Sequence, residues 1–231
     1  MNVNWMVDDS VYDTTTCTIG DDIILPPTPT KRGYTFLGWV SYTPIEYIES
    51  TGTQYIDTGI TDVTDSEFGI VVQQTQIISG LPAIVAARAG NSYKTVFGYS
   101  SSHAYAFYTQ CSSSFIKVGK ADLEKHTLKV INTSNNQELT VDNTTVSGSY
   151  HITQDKTYSL YICADHTASG AVNFTRQRVY SFYAKKNGVL IQDLIPVLDG
   201  NGVACMYDKV SHQFFYNGGT GNFIAGPEIT E

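Results

Sequence analysis

At 231 residues the chain has room for one large all-β domain and a small one, with a core that needs no covalent staples. Its net charge of −8 argues against a nucleic-acid backbone as partner, which calls for clustered Lys and Arg. Only 16% of residues are charged while tyrosine alone occurs 16 times, which suits a β-rich extracellular or virion protein better than a helical cytosolic enzyme.

In chain order, Val3–Val7 alternates like a strand and Thr14–Ile19 is a second β-prone run. Gly20-Asp21-Asp22 turns the chain before Ile23-Ile24-Leu25, where Pro26, Pro27 and Pro29 rule out a helix. In Gly33-Tyr34-Thr35-Phe36-Leu37-Gly38-Trp39, the aromatics Tyr34, Phe36 and Trp39 are expected to form a miniature core. Residues 1–42 read as a first unit, with Ser41–Pro44 as a short joint, and residues 43–231 as a second. In the second, strands are expected at Ile45–Glu49, Gln54–Ile60, Phe68–Gln74, Ala83–Arg88, Thr95–Tyr99, Ala104–Tyr108, Phe115–Val118, Thr127–Asn132, Glu138–Val141 and Tyr158–Ala164. Ser50–Thr53 is a turn, and Lys120–Lys125 suits a single helical turn.

The stretch Thr175–Pro227 organises the rest. Arg178–Lys185, Val189–Val197 and Val203–Asp208 are strand-like, separated by Lys-Asn-Gly and Asp-Gly-Asn-Gly, both hairpin signals. The alternation Val179-Tyr180-Ser181-Phe182-Tyr183-Ala184 predicts a half-buried strand. Gln213–Tyr216 follows, and the glycines from Gly218 to Gly226 end the domain. Many short strands at this spacing predict an antiparallel β-sandwich beginning near Tyr47.

Two stretches resemble known families. Gly20 to Trp39 carries Gly-Asp, then Leu-Pro, then Pro-Thr-Lys-x-Gly-Tyr-x-Phe-x-Gly-Trp. This resembles the end of the internalin-type B repeat, or Listeria–Bacteroides repeat, a small β-grasp-like module of bacterial surface proteins. Tyr47 to Ile60 contains Tyr-Ile-Glu-Ser-Thr-Gly-Thr-Gln-Tyr-Ile-Asp-Thr-Gly. It resembles the opening of laminin G-like, concanavalin A-like jelly rolls of gut bacterial and phage proteins. Leu128–Asn132 with Leu139–Asn143 resembles that family's central hairpin, and Tyr158–Ile162 its next strand. The resemblance implies an all-β chain, an antiparallel jelly-roll sandwich after a small N-terminal β-grasp-like module.

Catalytic patterns are missing. A retaining glycosidase needs two carboxylates about 5 Å apart, yet no Glu-x-Asp-x-x-Glu-like strand occurs, and Glu46 and Glu49 do not share a strand face. No Gly-x-Ser-x-Gly elbow occurs, and His103, His126, His151, His166 and His212 are scattered without neighbours that make a site. Cys17, Cys111, Cys163 and Cys205 lack metal or redox spacing. Cys163 and Cys205 lie in apolar runs and read as small core residues, while a disulfide stays open. No cofactor is expected beyond the Ca²⁺ that many laminin G-like domains hold on a rim. Here its oxygens would come from Asp142, Asp165 and Asp199, in or near turns, where Asp is also an ordinary turn residue.

Binding potential concentrates in Arg88–Tyr108 and Asp165–Arg178. Arg88, Asn91, Tyr93, Tyr99, His103, Tyr105 and Tyr108 pair rings that stack on sugar C–H faces with groups that bond hydroxyls. Strand alternation sends half of these aromatics into the core, and Tyr105 and Tyr108 are open to either role. Arg88 and Arg178 read first as structural partners.

No apolar run is long enough for a membrane-spanning helix, and MNVNWMVDD does not read as a signal peptide. The expected function is therefore non-enzymatic: a virion-associated attachment protein, a phage fibre or head-decoration protein on the virion surface. Its N-terminal module would dock on a virion or surface scaffold protein, and its jelly roll would bind host or mucosal glycans. A homo-oligomer, a trimer by analogy with fibres, is expected, with neither nucleic acid nor membrane insertion. The alternatives are a capsid or fibre decoration protein without ligand, and a fragment of an extracellular bacterial cell-surface adhesin.

Overall fold

A computed structural model describes residues 2–7, 10–18, 20–36, 38–89, 93–109, 116–133, 136–148 and 157–229, without the side chains of Tyr93, Lys94, Tyr108 and Thr109. The chain divides into two compact units, Met1–Val40 and Ser41–Glu231.

The first unit is a hairpin of β1 (Asn2–Val7) and β2 (Ser10–Thr16), followed by an extended segment. Strand β2 begins earlier than the predicted run because Ser10 and Val11 pair with Val7 and Met6 across a bulge. Trp5 is buried, its Nε1 donates to Thr15 Oγ1 at 2.8 Å, and Trp39 packs on it at 4.9 Å with Phe36 and Tyr12 alongside. Tyr34 does not join them. It is 71% exposed with Lys31 over its ring, because Gly33 turns it outward at φ 83°. The β-grasp-like expectation reduces, among the described residues, to this hairpin and its aromatic cluster.

The second unit is a β-sandwich without described helices. It opens with β3 (Tyr42–Pro44), β4 (Ile48–Thr51), β5 (Ile56–Asp57) and β6 (Ser66–Gln74). Next come β7 (Ala83–Ala89), β8 (Tyr93–Tyr99), β9 (Tyr105–Thr109), β10 (Ile116–Val118), β11 (Lys125–Asn132), β12 (Gln137–Val141) and β13 (Thr144–Gly148). It closes with β14 (Tyr161–Ile162), β15 (Asp165–Thr167), β16 (Gly170–Val172), β17 (Arg176–Lys186), β18 (Val189–Asp199), β19 (Ala204–Asp208), β20 (Phe214–Phe215) and β21 (Ile224–Ala225). The smaller sheet runs β10-β9-β8-β7-β14-β5, with the β15–β16 hairpin against β7. The larger runs β13-β12-β11-β6-β17-β18-β19-β20, extended by β3, β4 and β21. Every described pairing is antiparallel except β15 with β7. The helical turn expected at Lys120–Lys125 is absent. His103 O accepts the Ala121 N–H at 2.6 Å, Asp122 Oδ1 bonds the Glu124 N–H at 2.8 Å, and Lys125 already pairs with Gln73.

Residues from both sheets fill one core. Phe97, Tyr99, Tyr105, Phe107 and Ile162 of the smaller sheet meet Phe68, Ile70, Leu128, Leu139, Phe182 and Leu194 of the larger. Each fully buried side chain of this size contributes about 1.5–3 kcal/mol. Alternation holds along β11 and β12 but shifts phase in β17. Val179 pairs with Val72 and Ser181 with Val71, so Tyr180 is an extra residue. This bulge lets Val179, Phe182 and Ala184 all point inward, which strict alternation forbids. At the tip of β17–β18, Asn187 and Gly188 take φ of 50° and 77°, as the Lys-Asn-Gly signal predicts.

The ends of the unit are stitched together. Gln54 Oε1 accepts the Thr51 N–H at 2.8 Å and its Nε2 donates to Thr220 O at 3.1 Å. Asn217 Oδ1 accepts the N–H groups of Tyr55 and Gly219, and β21 pairs with β4. The opening motif and the terminal glycine run are two halves of one seam.

Candidate functional site

Among the described residues, the predicted binding side chains do not converge. Tyr99 and Tyr105 are 4% and 2% exposed in the core, their rings 5.3 Å apart, and burial raises both hydroxyl pKa values. They cannot stack on a sugar. The alternation of β8 and β9 turns them inward beside Phe97 and Phe107. His103 caps the β8–β9 turn at φ 60°, its N–H donating to Ser100 O. Asn91 lies outside the described residues, as do the side chains of Tyr93 and Tyr108.

Arg88 is half-buried and pairs with the fully buried Asp165, which also accepts from Asn173 Nδ2 at 3.3 Å. Arg88 is thus a structural partner, held by a hairpin that sequence reading missed. Asp165 is correspondingly not a rim ligand. Asp199 closes the β18–β19 turn, accepting the N–H groups of Val203 at 2.8 Å and Asn201 at 2.9 Å and the Tyr216 hydroxyl at 3.0 Å. These donors, Val203 first, hold its pKa below the usual carboxylate value. Asp142, at φ 51° between β12 and β13, accepts from His126 Nδ1 at 2.7 Å and from the Thr127 N–H at 2.9 Å. The three aspartates expected to share a calcium ion thus serve three separate structural roles. Among the described residues no three His, Cys, Asp or Glu side chains gather as metal ligands.

What the tertiary structure does assemble is an aromatic ledge on the outer face of the smaller sheet. Ile56 and Ile162 point into the core, so Asp57 and Tyr161 point out. Tyr161 stacks between Tyr55 (4.2 Å, 17°) and His166 (3.8 Å, 12°), with Tyr158 edge-on to His166 and Phe174 beside Tyr55. Gly218 permits the close approach to Tyr55, since a Cβ there would lie 2.6 Å from the ring. His166 Nδ1 is 2.9 Å from Ser159 O, an acceptor only, so Nδ1 carries the proton and Nε2 is left for solvent or ligand. The Ser159 hydroxyl donates to Asp57 Oδ1 at 2.6 Å and lies 3.3 Å from His166 Nδ1.

Serine, histidine and aspartate therefore meet here, but in the wrong order for nucleophilic catalysis. A base must take the serine proton and be oriented by the acid. Here the serine stands between the two and donates its hydrogen bond to the carboxylate, and it is 8% exposed. The rings of the ledge cover one another's faces, so it presents edges, the Asp57 carboxylate and His166 Nε2. Buried and half-buried acids elsewhere are similarly engaged: Asp208 by the N–H groups of Asp193, Val210 and Ser211, Glu49 by Arg178, Glu67 by Tyr183 and Lys185. Cys163 and Cys205 are buried free thiols whose pKa burial pushes up to about 12.

Residues 2–65 match the model of the Listeria–Bacteroides repeat domain, a span that runs past the first compact unit into the opening strands of the sandwich. No curated protein sequence matches the chain. Among solved structures, the chain is similar to domains LG4-5 of the mouse laminin α1 chain (TM-score 0.45, 13% identity, 66% of this chain and 44% of that one). It is also similar to a mutant Trypanosoma rangeli sialidase displaying trans-sialidase activity (TM-score 0.40, 12% identity, 52% of this chain and 20% of that one). The match thus spans under half the length of either.

Proposed function

We propose that this chain is a non-enzymatic attachment protein of a virion surface, a phage fibre or head-decoration protein whose sandwich binds host or mucosal glycans. The observation that supports the non-enzymatic part is the Asp57–Ser159–His166 order, in which serine, histidine and aspartate meet bonded as a structural clip. The N-terminal unit, with its match to a repeat domain, is the part that would dock on a virion or surface scaffold, leaving the outer faces of the sandwich for recognition. Assembly as a homo-oligomer, a trimer if the chain is a fibre, belongs to the same proposal.

One observation favours a second reading. The ledge fills its own stacking faces, as a decoration protein without a ligand would. A fragment of a bacterial surface adhesin is the third. Electron cryomicroscopy of intact particles from cells producing this chain tests the placement. Ordered, symmetry-related copies on the particle are expected. A chain found only as a secreted monomer would overturn the virion reading in favour of the adhesin.

A further inference from the structure

A separate surface lies on the outer face of the larger sheet. Phe68, Ile70 and Val72 of β6 point into the core, so Glu67, Gly69, Val71 and Gln73 point out. Gly69 pairs with Lys129 of β11 and with Tyr183 of β17; Lys129 pairs in turn with Thr140, and Tyr183 with Asp193. One row across five strands therefore reads Thr140, Lys129, Gly69, Tyr183, Asp193. At the usual strand spacing it spans roughly 19 Å.

The glycine decides the shape of this row. A Cβ on Gly69 would lie 1.9 Å from Tyr183 Cε1 and 2.5 Å from Cζ, so the tyrosine ring rests directly on the bare backbone. Its hydroxyl donates to Glu67 Oε1 at 2.7 Å, and Lys185 Nζ bonds the same oxygen at 3.0 Å. The ring thus lies down along the sheet, one side on Gly69 and the other turned outward, where Lys185 Nζ stands over it 5.2 Å from the centroid, and it is half-exposed. An aromatic laid over a glycine also repairs a sheet, but repair does not account for the flanks. Lys129 is half-exposed and its charge acts on Glu67, and Thr140 and Asp193 continue the row on either side.

We propose that this row is a saccharide platform, on which the outward side of Tyr183 takes the C–H face of an uncharged pyranose. It rests on the attachment reading above and names its ligand class and its site. Sugar rings stack on aromatic faces through their apolar C–H groups, while hydroxyls need both donors and acceptors nearby. Lys129 donates on one side, beside a Thr140 hydroxyl that already meets Thr145 Oγ1 at 2.9 Å; on the other, Tyr183 and Lys185 hold Glu67 Oε1, and its Oε2 and the Asp193 carboxylate are the acceptors. Two cations, Lys129 and Lys185, balance two acids, Glu67 and Asp193, so the platform itself favours no net charge. The net charge of −8 on the whole chain disfavours a polyanion. The length of the row fits a stretch of polysaccharide rather than a single sugar.

The test is affinity electrophoresis of the whole chain through native gels containing galactomannan, xylan or mixed-linkage β-glucan, with heparin as the anionic comparison. The expected result is retardation in at least one neutral gel, weakened at least tenfold by Tyr183→Ala and largely kept by Tyr183→Phe. Lys117→Ala, on the smaller sheet, should be retarded as much as the parent, each relative to its own mobility in a gel without polysaccharide. If Tyr183→Ala does not unfold cooperatively, Lys129→Glu carries the test and should weaken retardation severalfold. Retardation that survives these substitutions but is lost in His166→Ala would overturn the platform and leave sugar attachment on the other sheet. No retardation of the parent in any neutral gel would overturn the platform; retardation by heparin alone would overturn it too while leaving glycan attachment standing with an anionic ligand.

Discussion

His126 stands between two carboxylates, with Nε2 2.8 Å from Asp122 and Nδ1 2.7 Å from Asp142, above the ring of Tyr105. Burial opposes its charge, but the two acids outweigh burial and raise its pKa above 6.5. The Asp122 carboxyl is lowered by its bond to His126, and that of Asp142, despite burial, by His126 and the Thr127 N–H. The histidine contribution is complete below the ordinary histidine value and is lost as pH rises through the raised one. The carboxylate contributions are complete above 3.8 and are lost as pH falls through the lowered values. All three therefore act together only between those limits. His126→Gln should lower the urea midpoint most at about pH 5 and hardly at all at about pH 9. The deficit should not exceed about 1 kcal/mol, because both acids are roughly half exposed. Equal deficits at the two pH values would show that the clamp does not titrate as described. The histidines read as scattered in the sequence because only Asp122 is local, while Asp142 arrives through the β11–β12 pairing. Arg88 and Asp165 are likewise joined only by the packing of β15 on β7.

At the scale of elements, the terminal glycine run acts as a clasp on the opening turn. A Cβ on Gly219 would lie 2.0 Å from Thr53 O, a backbone atom that cannot swing aside. Gly219→Ala should cost about 1–3 kcal/mol. It should also speed hydrogen exchange at the Tyr55 amide, which Asn217 holds. Unchanged exchange there would mean that the seam does not depend on this close approach. That these glycines end the domain is legible from their number; that they pack on Tyr47, Thr53 and Tyr55 is not, since about 165 residues intervene along the chain. The long strands β6, β11, β17 and β18 are legible because their apolar residues face one core. The short β15 and β16 are not, because a three-residue strand carries too little alternation to detect.

For the molecule as a whole, every described residue of the main core lies at or beyond Ile45, whereas the first unit buries, among its described residues, one large side chain, Trp5. A fragment of residues 41–231 should therefore unfold cooperatively at nearly the urea midpoint of the intact chain's main transition, and a peptide of residues 1–40 should show no cooperative transition. A fragment 41–231 that fails to fold would mean that the sandwich needs the first unit.

By itself the sequence determined the all-β class, the order of the long strands and the hairpin turns, because strand alternation and turn chemistry are local. Only the tertiary structure decided which tyrosines are core, as Tyr99 and Tyr105 are, and which lie outward, as Tyr161 and Tyr183 do. A bulge of one residue reverses the faces of a strand, and the partner that buries or exposes a ring comes from a distant part of the chain.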